Sequence, residues 1–145
     1  MVYHGIPIMA LETTLIHETS VPVPMTIADG NAISKGSILL LSSPNTAAIT
    51  TGDTDSCAGI AAEEKVASDG QTKLSVFKSG IFKGFAGAAG VTVGMGVITD
   101  TATGAANELV VADVNSEHIV GRALETATDG QSFLFELNPL GLQLA

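Results

Sequence analysis

From Met25 onward the apolar residues come in short runs broken by glycine, aspartate, asparagine or serine, and nowhere hold a helical period over any length. A turn at Lys35-Gly36 leads into Ile38 to Leu41, and Ala47 to Thr51 makes a short strand after Ser42-Ser-Pro-Asn. Cys57 to Val66 and Thr72 to Phe77 read as a pair of strands, followed by Ile81 to Phe85, Val91 to Val93 and a strand beginning at Val97-Ile98. Glu108 to Ala112, His118 to Leu124 and Ser132 to Leu137 complete the series. Short strands spaced roughly 8–12 residues apart with such punctuation predict an all-β barrel or sandwich. Ala58 to Ala67 is a competing helical segment, disfavoured by its glycine and β-branched content, and Ala105 to Val111 has room for one helical turn.

One pattern occurs twice. Gly59-Ile-Ala-Ala-Glu, Ala67-Ser-Asp-Gly-Gln and the alternation through Leu74 and Val76 recur as Gly121-Arg-Ala-Leu-Glu, Ala127-Thr-Asp-Gly-Gln and the alternation through Phe133 and Phe135. Asp69-Gly70 and Asp129-Gly130 are the dipeptides that two-residue hairpin turns favour, because glycine reaches positive φ without a Cβ clash. Each copy is therefore expected to form a β-hairpin closed by a tight turn.

Residues 1–25 differ from the rest of the chain. Pro7, Pro22 and Pro24 rule out a continuous helix and discourage central strands, since proline has no amide hydrogen. Val21-Pro-Val-Pro favours an extended path. Yet Val2, Tyr3, Ile6, Ile8, Met9, Leu11, Leu15 and Ile16 make the segment apolar, unlike a solvated tail. The expected organisation is an extended N-terminal arm over residues 1–25 and a β-barrel domain over residues 26–145, the competing reading of the first segment being a first strand of the barrel followed by a proline-marked loop.

Composition narrows the function. The 145 residues carry 46% apolar side chains, only 14% charged ones and a net charge of −9, with six basic residues in no cluster. An acidic surface repels nucleic acid and anionic membranes, so neither is an expected partner. So few charges point to a surface partly covered by other protein chains. Gly84 to Thr99 is uncharged but rich in glycine and shorter than the ~20 apolar residues of a spanning helix. A basic stretch followed by an apolar core is absent from the N-terminal residues, so no secretory signal is expected.

Candidate chemistry is sparse. Cys57 is the single cysteine and reads as a small buried residue, not a nucleophile. His4, His17 and His118 are too dispersed for a zinc site, and no metal or cofactor is expected. Asp53-Thr-Asp55 begins like a calcium loop but lacks its central glycine and closing glutamate, and is read as a turn. Gly84-Phe-Ala-Gly-Ala-Ala-Gly90 has neither phosphate-binding pattern and reads as close backbone packing. Glu63 and Glu64, the one adjacent acid pair considered for hydrolysis, would point to opposite faces of a strand. Catalysis is not expected.

The order of these pieces resembles a known family. Gly36-Ser-Ile-Leu-Leu-Leu, then Cys57-Ala-Gly-Ile-Ala-Ala-Glu-Glu, then Asp69-Gly-Gln-Thr-Lys-Leu-Ser-Val-Phe-Lys-Ser-Gly-Ile-Phe, then Ile119-Val-Gly-Arg-Ala-Leu-Glu-Thr-Ala-Thr-Asp-Gly-Gln is similar to the lambda-type head decoration (capsid cement) proteins of tailed viruses, over residues 25–137. That resemblance implies a small β-barrel of the β-tulip type and a homotrimer at three-fold and quasi-three-fold positions on the outer surface of the virion. It implies the major capsid protein as partner, gripped by the arm through Tyr3, Ile6, Ile8, Leu11, Leu15 and Ile16. Ile81, Phe82, Phe85 and Arg122 are the candidates for the trimer seam, with core packing the competing role for the three apolar residues and a surface ion pair for the arginine. The alternative of another class is a trimeric receptor-binding or fibre-tip β module, against which the 4% aromatic content counts, since sugar platforms use aromatic rings. A nucleotide hydrolase of the dUTPase type is the remaining alternative, and its motifs are missing.

Overall fold

The computed structural model describes residues 12–50, 56–100, 107–112 and 119–139, and these contain strands and turns without a helix. The strands are β1 (Thr14–His17), β2 (Val23–Thr26), β3 (Ile38–Ser43), β4 (Thr46–Ile49), β5 (Cys57–Ala61), β6 (Lys73–Phe77), β7 (Gly80–Ala86), β8 (Gly96–Thr99), β9 (Glu108–Val111), β10 (Gly121–Ala123) and β11 (Ser132–Leu137). The protein is all-β, as the patterning predicts, but its single expected barrel is two. Strands β2-β4-β3-β5-β6 close on themselves, and so do β7-β9-β8-β10-β11, with β1 added to the outer edge of β7.

The two barrels match residue for residue. In the first, Met25 stands opposite Leu74, Leu39 opposite Gly59, Leu40 opposite Ala48 and Ile60 opposite Phe77. In the second, Gly84 stands opposite Phe133, Val97 opposite Gly121, Ile98 opposite Val110 and Arg122 opposite Glu136. Each has one parallel pairing, Thr26 with Thr46 and Phe85 with Glu108, and one isolated bridge, Ile33 with Lys65 and Val91 with Ala127. The duplication thus extends well beyond the hairpins in which the sequence reveals it.

Their interiors are filled differently. The first encloses Met25, Leu39, Leu74 and Val76 with the small residues Ala47, Ala58 and Ala61. At the places of Met25, Leu74 and Val76 the second has Gly84, Phe133 and Phe135, so a large residue lost on one strand is regained on its neighbour. A Cβ on Gly84 would press on the Phe135 ring, which occupies the vacated space. Swaps that conserve volume in this way keep a core packed.

The repeated motif has a mechanical reason at each position. Gly59 and Gly121 lie so close to the facing strand that a Cβ would run into the carbonyl oxygens of Phe77 and Glu136 respectively. Ala61 and Ala123 are buried, with 2% and 0% of their surface exposed. The Glu63 carboxylate accepts from the Ser75 amide at 2.9 Å, and Glu125 does the same for Leu134 at 2.8 Å, satisfying donors at the end of the ladder.

Several expectations need correction. Asp69-Gly70 and Asp129-Gly130 do not close two-residue hairpins; they sit in the longer connections between β5 and β6 and between β10 and β11. Gly70 and Gly130 have the positive φ foreseen, 87° and 81°, while neither aspartate joins the non-glycine residues at positive φ, Asn45 and Ser68. A type I′ turn needs both of its central residues there. The Cys57 strand ends at Ala61 because Glu63 turns to cap β6, and Val91 to Val93 contributes a single bridge. Of the span Ala105 to Val111, the described residues form a strand from Glu108.

Candidate interaction surfaces

The junction of the barrels defines which surfaces remain outside. Ile38, Cys57, Ile60 and Phe77 point out of the first barrel and join the apolar cluster of the second. The Phe77 ring meets Phe82 edge-on with centroids 5.6 Å apart, and Phe82 stacks on Phe135 at 6.0 Å. A buried polar clamp crosses beside them: Asn107 Oδ1 accepts from the Ile38 amide at 2.9 Å, and Asn107 Nδ2 donates to the Gly36 carbonyl at 3.4 Å.

Strand β1 straps this junction from the N-terminal side. Thr13, buried, donates its amide (3.2 Å) and hydroxyl (2.6 Å) to the Gly36 carbonyl of the first barrel. Thr14 and Leu15 then pair with Lys83 and Phe82 of the second. Leu15 packs against the shared cluster, whereas Ile16 is 42% exposed. Within the span expected to be an arm, Leu15 is held by its own chain and β2 belongs to the first barrel, while Tyr3, Ile6, Ile8 and Leu11 lie outside the described residues.

The seam candidates separate as well. Gly80, Phe82, Gly84 and Ala86 alternate inward along β7, and Phe82, 1% exposed, packs in the core of its own chain. Ile81 and Phe85 take the outward positions and are half-buried. Arg122 forms an ion pair with Glu136 of the adjacent strand at 3.0 Å within the same chain, exposed enough to contribute about 0.5 kcal/mol. This pair crosses a groove of about 360 Å³ lined also by Gly94, Gly96, Ile119 and Asn138. Val93 and Met95, both exposed, lie in the same turn as Gly94.

The remaining chemical groups have structural explanations. Burial pushes the Cys57 thiol up to about 12, against the lowering effects of the Gly59 backbone and Lys78, so it stays protonated. The Lys65 ammonium, with no side-chain exposure, sits among the Asp29 carbonyl (3.0 Å), the Asp29 carboxylate (3.1 Å), the Val66 carbonyl (2.6 Å) and the Asp69 carboxylate (2.7 Å). Burial alone would lower its pKa; the hydrogen bonds to Asp69 and Asp29 outweigh that and hold it above the usual lysine value. The same bond from Lys65, helped by the Gln71 amide, holds Asp69 below the usual carboxylate range. Ala127 takes the place of Lys65 in the second barrel, so this cage is particular to the first. Of the two acids that hold Lys65, only Asp69, four positions on, is near enough in sequence to have signalled the cage.

His17 ends β1 in an exposed position, while His4, His118, Asp53 and Asp55 lie outside the described residues. No trio of His, Cys, Asp or Glu among the described residues is placed to hold a metal. The glycine-rich stretch packs as expected: Gly90, at φ 72°, would bring a Cβ within 2.9 Å of the Ala127 carbonyl oxygen.

No protein-family model matches the chain, and no curated protein does. Among solved structures it is similar to the head fiber gp8.5 N base in bacteriophage phi29, with a TM-score of 0.53 and 17% identity. The superposition covers 84% of this chain and 98% of that one. At such low identity the likeness is one of fold, and it takes in almost the whole of the fibre base.

Proposed function

We propose that the protein is a structural component of a phage head, a decoration protein that binds the outer surface of the assembled shell and stabilises it against internal pressure. The observation that carries this reading is the fold shared with nearly the whole of a phage head-fibre base. The sequence resemblance to decoration proteins, reached from other residues, points the same way. Residues 1–11 supply the grip, with Tyr3, Ile6, Ile8 and Leu11 as apolar anchors in the major capsid protein, while Ile16 and the outward face of β7 flank the point of contact. An extended segment can add a strand to a neighbouring sheet, drawing on backbone hydrogen bonds and side-chain pockets. If three copies assemble about a three-fold position, their arms act together and each can be weak. A ligand that binds only the closed shell stabilises it by mass action.

A second reading comes from the name of the structural neighbour: the two barrels form the base of a fibre whose working end is another module. Co-sedimentation with purified heads that lack the protein tests the first reading. The full chain should pellet with heads and a chain starting at Glu12 should not, although both give the same far-UV spectrum. Equal pelleting of both would remove the arm from the mechanism, and pelleting of neither would remove the head.

A further inference from the structure

We infer that the barrel pair is capped at both ends, so that copies of the chain cannot extend it into a head-to-tail array. The inference comes from the internal duplication and does not rest on the head-binding reading. The junction inside the chain has two complementary halves. The first barrel contributes the apolar outer face Ile38, Ile60 and Phe77; the second contributes Phe82 and a β7 edge filled by β1. Because the barrels correspond residue for residue, each also carries an unused version of the opposite half. Repeating the junction would place a second copy's first barrel on this chain's second, and such a heterologous contact propagates as an open chain unless it closes into a ring.

Both unused halves are altered where docking would need them. On the second barrel the positions of Ile38, Ile60 and Phe77 are held by Gly96, Arg122 and Glu136. An apolar face has become a groove spanned by a 3.0 Å ion pair whose side chains are 60% and 47% exposed. Covering that pair would strip water from two charges with no new partner in the repeated geometry.

On the first barrel the positions of Ile81, Phe82 and Lys83 are held by Pro22, Val23 and Pro24. The Ser75 amide donates to Glu63 and its carbonyl accepts from Ala62, so both groups face β5. Pro24, opposite Ser75, therefore aims its backbone nitrogen away from β6, toward the edge that in the second barrel receives β1. Proline offers no hydrogen there, so a strand equivalent to β1 cannot be added. Polar end faces serve the same purpose in repeat proteins, where an uncapped terminal unit associates. Self-association of this chain must use other faces.

Sedimentation velocity of the full chain tests this, with Arg122→Ile/Glu136→Phe opening one end, Pro22→Ile/Pro24→Lys opening the other, and a combined variant opening both. The wild type should keep one size over a wide concentration range. The combined variant should form a concentration-dependent ladder whose steps equal the wild-type unit, and an equimolar mixture of the two single-end variants should gain one step and stop. A wild-type ladder abolished by substitution in the Arg122 groove would overturn the inference, as would a correctly folded combined variant of wild-type size. Should the combined variant fail to fold, the mixture of single-end variants decides in the same way.

Discussion

At the residue scale the repeated glycines are the most exacting positions. Gly121→Ala forces a Cβ against the Glu136 carbonyl and should cost about 2–3 kcal/mol in urea unfolding, whereas Gly30→Ala, with no atom within 4 Å, should stay within ~0.5 kcal/mol. Gly130 also faces open space, but its φ of 81° makes Gly130→Val costly by strain alone, ~1–2 kcal/mol. Cys57, protonated and buried, should resist a thiol reagent in the native protein and react promptly in urea; prompt native reaction would contradict its placement. The Lys65 cage makes stability depend on pH at both extremes. Asp69 has a depressed folded pKa, so its contribution is present above the ordinary carboxylate value and fades as pH falls through the folded one. Lys65 has a raised folded pKa, so its contribution is present below the ordinary lysine value and is lost only as pH rises through the raised one. Urea midpoints of wild type and Asp69→Asn should therefore differ at neutral pH and converge in strong acid; a constant gap would show that Asp69 acts by shape and not by charge.

At the scale of elements, β1 was the hardest to read. Four residues with three prolines nearby and no hairpin partner look like tail, and only the distant β7 edge makes Thr14 to His17 a strand. Removing residues 1–11 should leave thermal stability unchanged, whereas removing residues 1–17 should lower the midpoint by several degrees, since Leu15 and Thr13 then leave Phe82 and the Gly36 carbonyl uncovered. Local signals served better where contacts are local. The inward alternation of Ser132 to Leu137 was legible because that strand turns one face to a core, and the run Ile38 to Leu41 because Ile38 and Leu39 are buried on opposite faces of β3. The turn type at Asp69-Gly70 and Asp129-Gly130 was not, because in both barrels the chain first bridges to a remote segment, Lys65 to Ile33 and Ala127 to Val91, before it reaches the turn. The wider duplication had a faint trace in Ile33-Ser-Lys-Gly36 and Val91-Thr-Val-Gly94, whose glycines share φ near 82–85°.

At the scale of the molecule, the apolar cluster that runs from Ile38 and Phe77 into the second barrel should make the two barrels unfold together. A single calorimetric transition is expected, and Asn107→Ala, which removes the clamp on Ile38 and Gly36, should broaden or split it. Fold class was readable from the strand pattern, but the number of barrels was not, because closure depends on the pairing of β2 with β6 and β7 with β11 across long stretches of chain. The acidic, charge-poor composition and the dispersed histidines pointed away from nucleic-acid and metal partners without naming the surface that a partner would use. The most direct measurement of the central claim is an electron cryo-microscopy difference map between phage heads with and without the added protein. Knobs of two-barrel size are expected on the outside of the shell, at three-fold or quasi-three-fold positions, each joined to capsid subunits by density leading from Glu12. Heads that show no added density, or density that meets the shell only through the barrels with none at the N-terminal side, would contradict it.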